Sequence, residues 1–325
     1  MRVCVYGAGA IGGHFAARAA AGGAEVSVVA RGAHLAAMQA DGLRVQDADG
    51  EIVAPVRADA DPAALGRQDV VIVSVKAPAL GAVAAGIAPL LGPDTSVVFA
   101  MNGIPWFYFH RHGGELDGLR LPKIDPNDAL WHAVGPDRAV GGVVYSACTV
   151  TAPGTIRVEG KSRLVLGETN GAISPRAEAL AAVLRAGGLD IDITPDLRAA
   201  IWRKLLLNLS SGPLCVIAGS NVNDLIGEPA AEAACQACAA EAVAIAHAMG
   251  HKISVHPDRL IAGMRGLLHK PSVLQDLELG RPMEIDAVFD APLQLARRVG
   301  VATPTLDLVV GLMKLRARAA GLYSG

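Results

Sequence analysis

Apolar and polar positions in the first half of the chain predict strands separated by helices. Residues 2–6 form a short β-prone run, residues 11–21 an alanine-rich helix, and residues 25–30 (EVSVVA) a second strand. Residues 43–46 and 51–56 predict a hairpin around Asp47-Ala-Asp-Gly50. The run 69–75 (DVVIVSV) is apolar without a break, as in a strand buried on both faces of a parallel sheet. A helix over 79–91 and a strand over 96–100 continue the alternation. Such a pattern specifies an α/β fold with a Rossmann-type doubly wound sheet. Strands are expected again at 139–150, 154–159 and 162–166, then a helix over 176–187 and a last strand over 190–194.

The period changes after Thr194-Pro195-Asp196. Thr194 can cap a helix, and Pro195 suits the first helical position. From there the pattern is helical: 196–210, 217–224, 228–249, 256–266, 284–299 and 305–320. Two domains are therefore expected, a Rossmann-like one over 1–195 and an all-helical one over 196–325.

Composition narrows the partners. Apolar residues make up 52% of the 325, enough for two cores, and the net charge of −2 comes without any cluster of lysine and arginine. A nucleic-acid face is not expected. The longest apolar run, 77–91, is interrupted by Gly81 and Gly86 and is too short to span a membrane. No leader segment is recognisable, so a cytoplasmic protein with reduced cysteines at 4, 148, 215, 235 and 238 is expected.

Gly7-Ala8-Gly9-Ala10-Ile11-Gly12 fits the G-x-G-x-x-G fingerprint, following a strand and opening a helix. Gly7 permits the tight turn, Gly9 lets the backbone approach a pyrophosphate, and Gly12 lets the helix pack on the strand. The alternative, a glycine-rich turn without a ligand, explains the spacing less well. Where NAD-specific sites place an acidic residue after the second strand, this chain has Arg31. A guanidinium matches a 2′-phosphate in charge and geometry, which predicts NADPH as the cofactor. A solvated loop arginine is the plainer reading of Arg31.

Further polar residues stand in apolar surroundings. Lys76 and Asn102 follow the strands 69–75 and 96–100, at the ends where open α/β sheets bind ligands. A snorkelling lysine and a turn-forming asparagine are the structural alternatives. In Ile201-Trp-Arg-Lys204-Leu-Leu-Leu-Asn208, Lys204 and Asn208 share a helical face, and the flanking leucines suggest a partly buried amine. Glu284 follows Pro282 in the first turn of a helix, where the dipole favours a carboxylate whatever its function. Ser272 could act as a helix cap.

Taken together, GAGAIGG, SVKAP around Lys76, MNG at Asn102, WRKLLLN and SVLQDLELGRPMEID resemble the ketopantoate reductase (2-dehydropantoate 2-reductase) family, in family order from residue 1 to about 310. The resemblance implies an interdomain active site and NADPH-dependent reduction of ketopantoate to (R)-pantoate in pantothenate biosynthesis. It implies Lys204 as general acid with Glu284 its carboxylate partner, and Asn208, Ser272 and Asn102 as substrate contacts. Gly7, Ala8, Gly9, Ala10, Ile11, Gly12, Arg31, Lys76 and again Asn102 would serve the cofactor. A homodimer is also implied; no metal is expected, because Cys235 and Cys238 have no second pair and no flanking histidine at zinc spacing.

The chain departs from the family's pattern in places. Gly212 stands four residues beyond Asn208, where members often carry another asparagine, and Phe289-Asp290 replaces an Asn-Gly. Trp106-Phe-Tyr-Phe109 opens a long stretch to about residue 138, either a lid or a packed excursion. Cys235-Gln-Ala-Cys238 lies within a helix, without a second pair, and reads as packing. A relative reducing another oxo acid and a non-catalytic NADP(H)-binding sensor are the rival functions.

Overall fold

The computed structural model describes residues 1–325, which divide into two compact units. Unit 1 comprises Met1–Met101 and Pro105–Leu197; unit 2 comprises Asn102–Ile104 and Arg198–Gly325.

Unit 1 is built on ten strands: β1 (Arg2–Tyr6), β2 (Glu25–Val29), β3 (Leu43–Asp47), β4 (Gly50–Ala54), β5 (Arg57–Asp59), β6 (Val70–Val73), β7 (Ser96–Ala100), β8 (Ala139–Ala152), β9 (Thr155–Gly167) and β10 (Asp190–Thr194). They form one mixed sheet in the order β4-β3-β9-β8-β7-β6-β1-β2-β5, with β10 also paired to β9. From β8 to β5 neighbouring strands are parallel, so that Val5 lies between Val28 and Ile72. The β8–β9 and β3–β4 pairs are antiparallel. Helices α1 (Ala10–Ala21), α2 (Gly32–Asp41), α3 (Pro62–Leu65), α4 (Leu80–Gly86), α5 (Ala129–Ala133) and α6 (Pro175–Ala186) complete the unit. Its core joins Val3, Val5, Val28, Ile72 and Val98 of the sheet to Phe15 of α1 and Leu180 of α6.

Several local expectations are corrected. The helix expected over 79–91 is α4 flanked by 3-10 turns at Ala77–Ala79 and Ala88–Leu90. Pro89 lacks the N–H that an α-helix continued from α4 would use there, and a Cβ on Gly86 would come within 2.7 Å of the Tyr6 hydroxyl. The strands expected at 154–159 and 162–166 are one strand, β9. The helix α2 has weak amphipathic patterning and was not foreseen. Trp106, Phe107, Tyr108 and Phe109 are buried, and the first two pack edge-on or tilted against Phe99 at 5.5 and 5.6 Å between ring centroids. The aromatic run is therefore a packed excursion, not a lid.

Unit 2 is helical: α7 (Leu197–Ala218), α8 (Val222–Gly227), α9 (Pro229–Ala248), α10 (Pro257–Ala262), α11 (Ser272–Glu278), α12 (Ala291–Arg298) and α13 (Pro304–Ala319), with a π-helical segment, Asp286–Asp290, leading into α12. The expected helix over 217–224 is displaced. α7 runs through Pro213 to Ala218, the chain turns at Gly219-Ser220, and Asn221 caps α8 by accepting the Asp224 N–H at 2.9 Å. Cys235 and Cys238 are buried in α9, and burial pushes both thiols up to about 12, as for packing residues. No helix is long and apolar enough to cross a membrane.

Candidate active site

The glycine turn joins β1 to α1. Gly7 has φ +95°, a left-handed conformation that glycine adopts without strain, and a Cβ there would lie 2.4 Å from Val75 Cγ1. The N–H groups of Gly7 and Ala8 donate to the Val29 carbonyl at 3.1 and 3.3 Å, and Ser74 Oγ donates to the Gly7 carbonyl at 2.9 Å. Gly12 is walled in: a Cβ would sit 2.2 Å from Ser74 Oγ and 2.3 Å from Gly7 O. Gly9 is exposed, with nothing within 4 Å of a Cβ. It is the N-cap of α1 and supplies no side-chain cap. The first amides of the helix have no intrahelical acceptor, so N–H donors and the positive end of the dipole lie beside open backbone. This cradle fits a pyrophosphate.

Arg31 follows β2 as the N-cap of α2 and is exposed. His34, one turn on, was not singled out from the sequence. Its Nδ1 accepts the Gly154 N–H at 2.8 Å, which places the proton on Nε2, and Nε2 donates to the Ala8 carbonyl at 2.7 Å. His34 thus braces the glycine turn from the second strand's side. Lys76 is half-buried just beyond Val75, the residue that walls Gly7.

In unit 2, Lys204 and Asn208 lie one turn apart on α7, both half-buried, with Leu205, Leu206 and Leu209 fully buried beside them. Burial pulls the Lys204 amine below its ordinary pKa. Ser272 is exposed as the first residue of α11; the cap position itself is Pro271. Glu284 is half-buried and stands just before the helical turn that opens into the π segment. π-helical turns of this kind recur at functional sites.

Asn102 requires a correction. It follows β7, yet Asn102–Ile104 pack with the helical unit and not with the sheet. The Ile104 N–H donates to the Ala287 carbonyl at 2.9 Å, and a Cβ on Gly103 would lie 2.5 Å from that same oxygen. Asn102 therefore shares a framework with Glu284. Of the residues singled out from the sequence, Asn102, Lys204, Asn208, Ser272 and Glu284 belong to unit 2, while the glycine turn, Arg31 and Lys76 belong to unit 1.

Residues 3–171 match the family model for ketopantoate reductase PanE/ApbA, and residues 196–317 match the model for its C-terminal part. The chain belongs to the ketopantoate reductase family. It is 46% identical to a 2-dehydropantoate 2-reductase from Mesorhizobium japonicum, with all of both chains covered. Among solved structures it resembles one assigned to the ketopantoate reductases from Ralstonia solanacearum, at 43% identity and a TM-score of 0.93 over 99% of both chains. A 2-dehydropantoate 2-reductase from Geobacter metallireducens is 28% identical, with a TM-score of 0.85 over 97% of this chain and 99% of that one.

Within unit 2 of this ketopantoate reductase family member, Gly212 and Phe289 meet in space. A Cβ on Gly212 would lie 3.2 Å from Phe289 Cζ and 3.6 Å from Val273 Cγ1. One turn beyond Asn208, the phenyl ring thus occupies the space a larger residue at 212 would need.

Proposed function

We propose that this protein reduces a 2-oxo acid with NADPH, converting 2-dehydropantoate (ketopantoate) to (R)-pantoate. The observation that carries the reading is Lys204, an amine half-buried in α7 and lowered in pKa by burial, in a unit that also holds Asn102, Asn208, Ser272 and Glu284. The full-length likeness to a 2-dehydropantoate 2-reductase supports it. Bound at the glycine turn, the nicotinamide cofactor supplies a hydride. Attack on the 2-oxo carbon drives charge onto the carbonyl oxygen. The Lys204 ammonium stabilises that charge and donates its proton to the oxygen. Glu284 is its carboxylate partner, while Asn102, Asn208 and Ser272 orient the substrate's oxygens. Arg31 pairs with the cofactor's 2′-phosphate, and Lys76 lines the cofactor.

A second reading, reduction of a different oxo acid, is favoured by the Gly212–Phe289 contact, which puts a phenyl ring one turn beyond Asn208 where the resemblance leads one to expect asparagines. The stripe of Leu308, Leu312 and Leu315 on α13 is exposed at helical spacing and supports a homodimer. The five free cysteines fit the reducing cytoplasm.

Oxidation of NADPH and NADH with ketopantoate and a panel of 2-oxo acids tests the reading. NADPH and ketopantoate are the expected pair, and Arg31→Ala should weaken NADPH binding by about tenfold or more without changing that of NADH. Equal affinity for both cofactors refutes the role of Arg31. Turnover with other acids only selects the second reading, and turnover with none leaves a non-catalytic NADP(H)-binding protein.

A further inference from the structure

The segment after α13 is tied to the turn that carries Glu284. Beyond Ala319, Gly321 adopts φ +71° and reverses the chain. The Gly321 N–H donates to Arg318 O and the Leu322 N–H to Ala317 O, both at 2.9 Å, the two bonds of a Schellman motif. The reversal brings the chain back to residues 283–286. Leu322 O accepts the Met283 N–H at 3.4 Å, and the Tyr323 hydroxyl donates to Asp286 Oδ1 at 2.7 Å. Glu284 lies between those two anchor points.

The segment beyond is strapped as well. Lys314 of α13 pairs with Asp290 at the far end of the π segment, Gln294 Nε2 donates to Asp290 Oδ2 at 2.6 Å, and Ile104 N–H binds Ala287 O. A π turn is a rare backbone form, and here side chains and backbone from α12, α13 and residue 104 bond to it. Glu284 itself precedes the helix and has no helical turn to fix it. Burial, with the bond to Asp286 second, raises the Tyr323 phenol above its ordinary pKa, so the hydroxyl stays a donor.

We propose that Tyr323 is a positioning residue: its bond to Asp286, with Leu322 on Met283, fixes the 283–286 turn and so aims the Glu284 carboxylate. The proposal rests on the role given to Glu284 above. In this role Tyr323 acts through geometry alone.

The test compares Tyr323→Phe, Glu284→Gln and the double variant in full-length protein. The readouts are kcat, KM for ketopantoate, NADPH affinity, thermal midpoint and amide hydrogen exchange. Tyr323→Phe keeps the ring and should lower kcat about fivefold, the effect of one net hydrogen bond. NADPH affinity and the thermal midpoint should stay near wild type, while exchange at residues 283–290 quickens. In the Glu284→Gln background, Tyr323→Phe should cause no further loss of kcat. Unchanged kcat and exchange in Tyr323→Phe beside a crippled Glu284→Gln overturns the positioning role alone. An equal loss in both backgrounds also overturns it, because the tether would then not act through Glu284. Wild-type kcat in Glu284→Gln removes the carboxylate's role and the tether's purpose together.

Discussion

In the proposed reaction Lys204 is the general acid, and its environment sets the pH at which it would act. Burial among the leucines of α7 penalises the ammonium, so its pKa lies below the ordinary 10.5. Ketoacid reduction draws on the protonated form. The rate of reduction should therefore fall as pH rises through that lowered pKa, and Lys204→Ala should lose the alkaline limb together with about a hundredfold or more in kcat. Near-normal turnover in that variant would remove Lys204 from the mechanism. A second buried base lies away from the proposed chemistry. His14 of α1 is fully buried, with Nε2 2.9 Å from Ser162 Oγ. Burial first, and the Arg18 charge second, lower its pKa from 6.5 to about 4. Between those values the unfolded chain binds a proton that the folded one refuses. Stability is constant on this account above pH 6.5 and drops as pH falls toward 4, by about 3 kcal/mol. Unfolding curves from pH 7 to 4.5 should show a shallower decline in His14→Gln than in wild type. The four-residue spacing of Lys204 and Asn208 was legible in the sequence; the degree of burial that shifts the Lys204 and His14 titrations was not, because it depends on which residues arrive from elsewhere in the chain.

Among the elements, the strand–turn–helix at the N-terminus was the most legible, because its glycines answer local demands. The structure separates their tasks. Gly12 is enclosed by Ser74 Oγ and Gly7 O, whereas Gly9 faces open space at an ordinary negative φ. Gly12→Ala should lower the thermal midpoint and weaken cofactor binding together. Gly9→Ala should leave the midpoint in place and weaken cofactor binding by about tenfold or more, since only a ligand meets the new methyl. Calorimetry with cofactor titration distinguishes the two, and equal midpoint losses would refute the division. Other elements escaped the pattern for physical reasons. The division of 79–91 into α4 and 3-10 turns follows from Pro89 and from the tight approach of Gly86 to Tyr6, a residue eighty positions earlier. The extension of α7 through Pro213 runs against local propensity. The π segment, which begins two residues beyond Glu284, has no simple apolar period to announce it.

For the whole molecule, α13 offers a prediction about assembly. Leu308, Leu312 and Leu315 fall at i, i+4 and i+7 with 62, 44 and 60% of their surface exposed. If the stripe is a subunit contact, light scattering should show a dimer for wild type and a 33.3 kDa monomer for Leu312→Lys. A wild-type monomer would end that reading. The sequence by itself determined the Rossmann-like sheet, the change to helices near residue 196 and the glycine turn, and it singled out the polar candidates at 76, 102, 204, 208, 272 and 284. It could do so because strand and helix periods, glycine spacing and capping are properties of neighbours in the chain. Tertiary structure alone decided that Asn102 packs with the helical unit through Ile104 and Ala287, that His34 braces Ala8, and that Gly212 accommodates Phe289. It alone decided, too, that Tyr323 reaches back to Asp286. Each of these joins residues tens of positions apart, and no local period encodes a contact that forms only when separate elements close on one another.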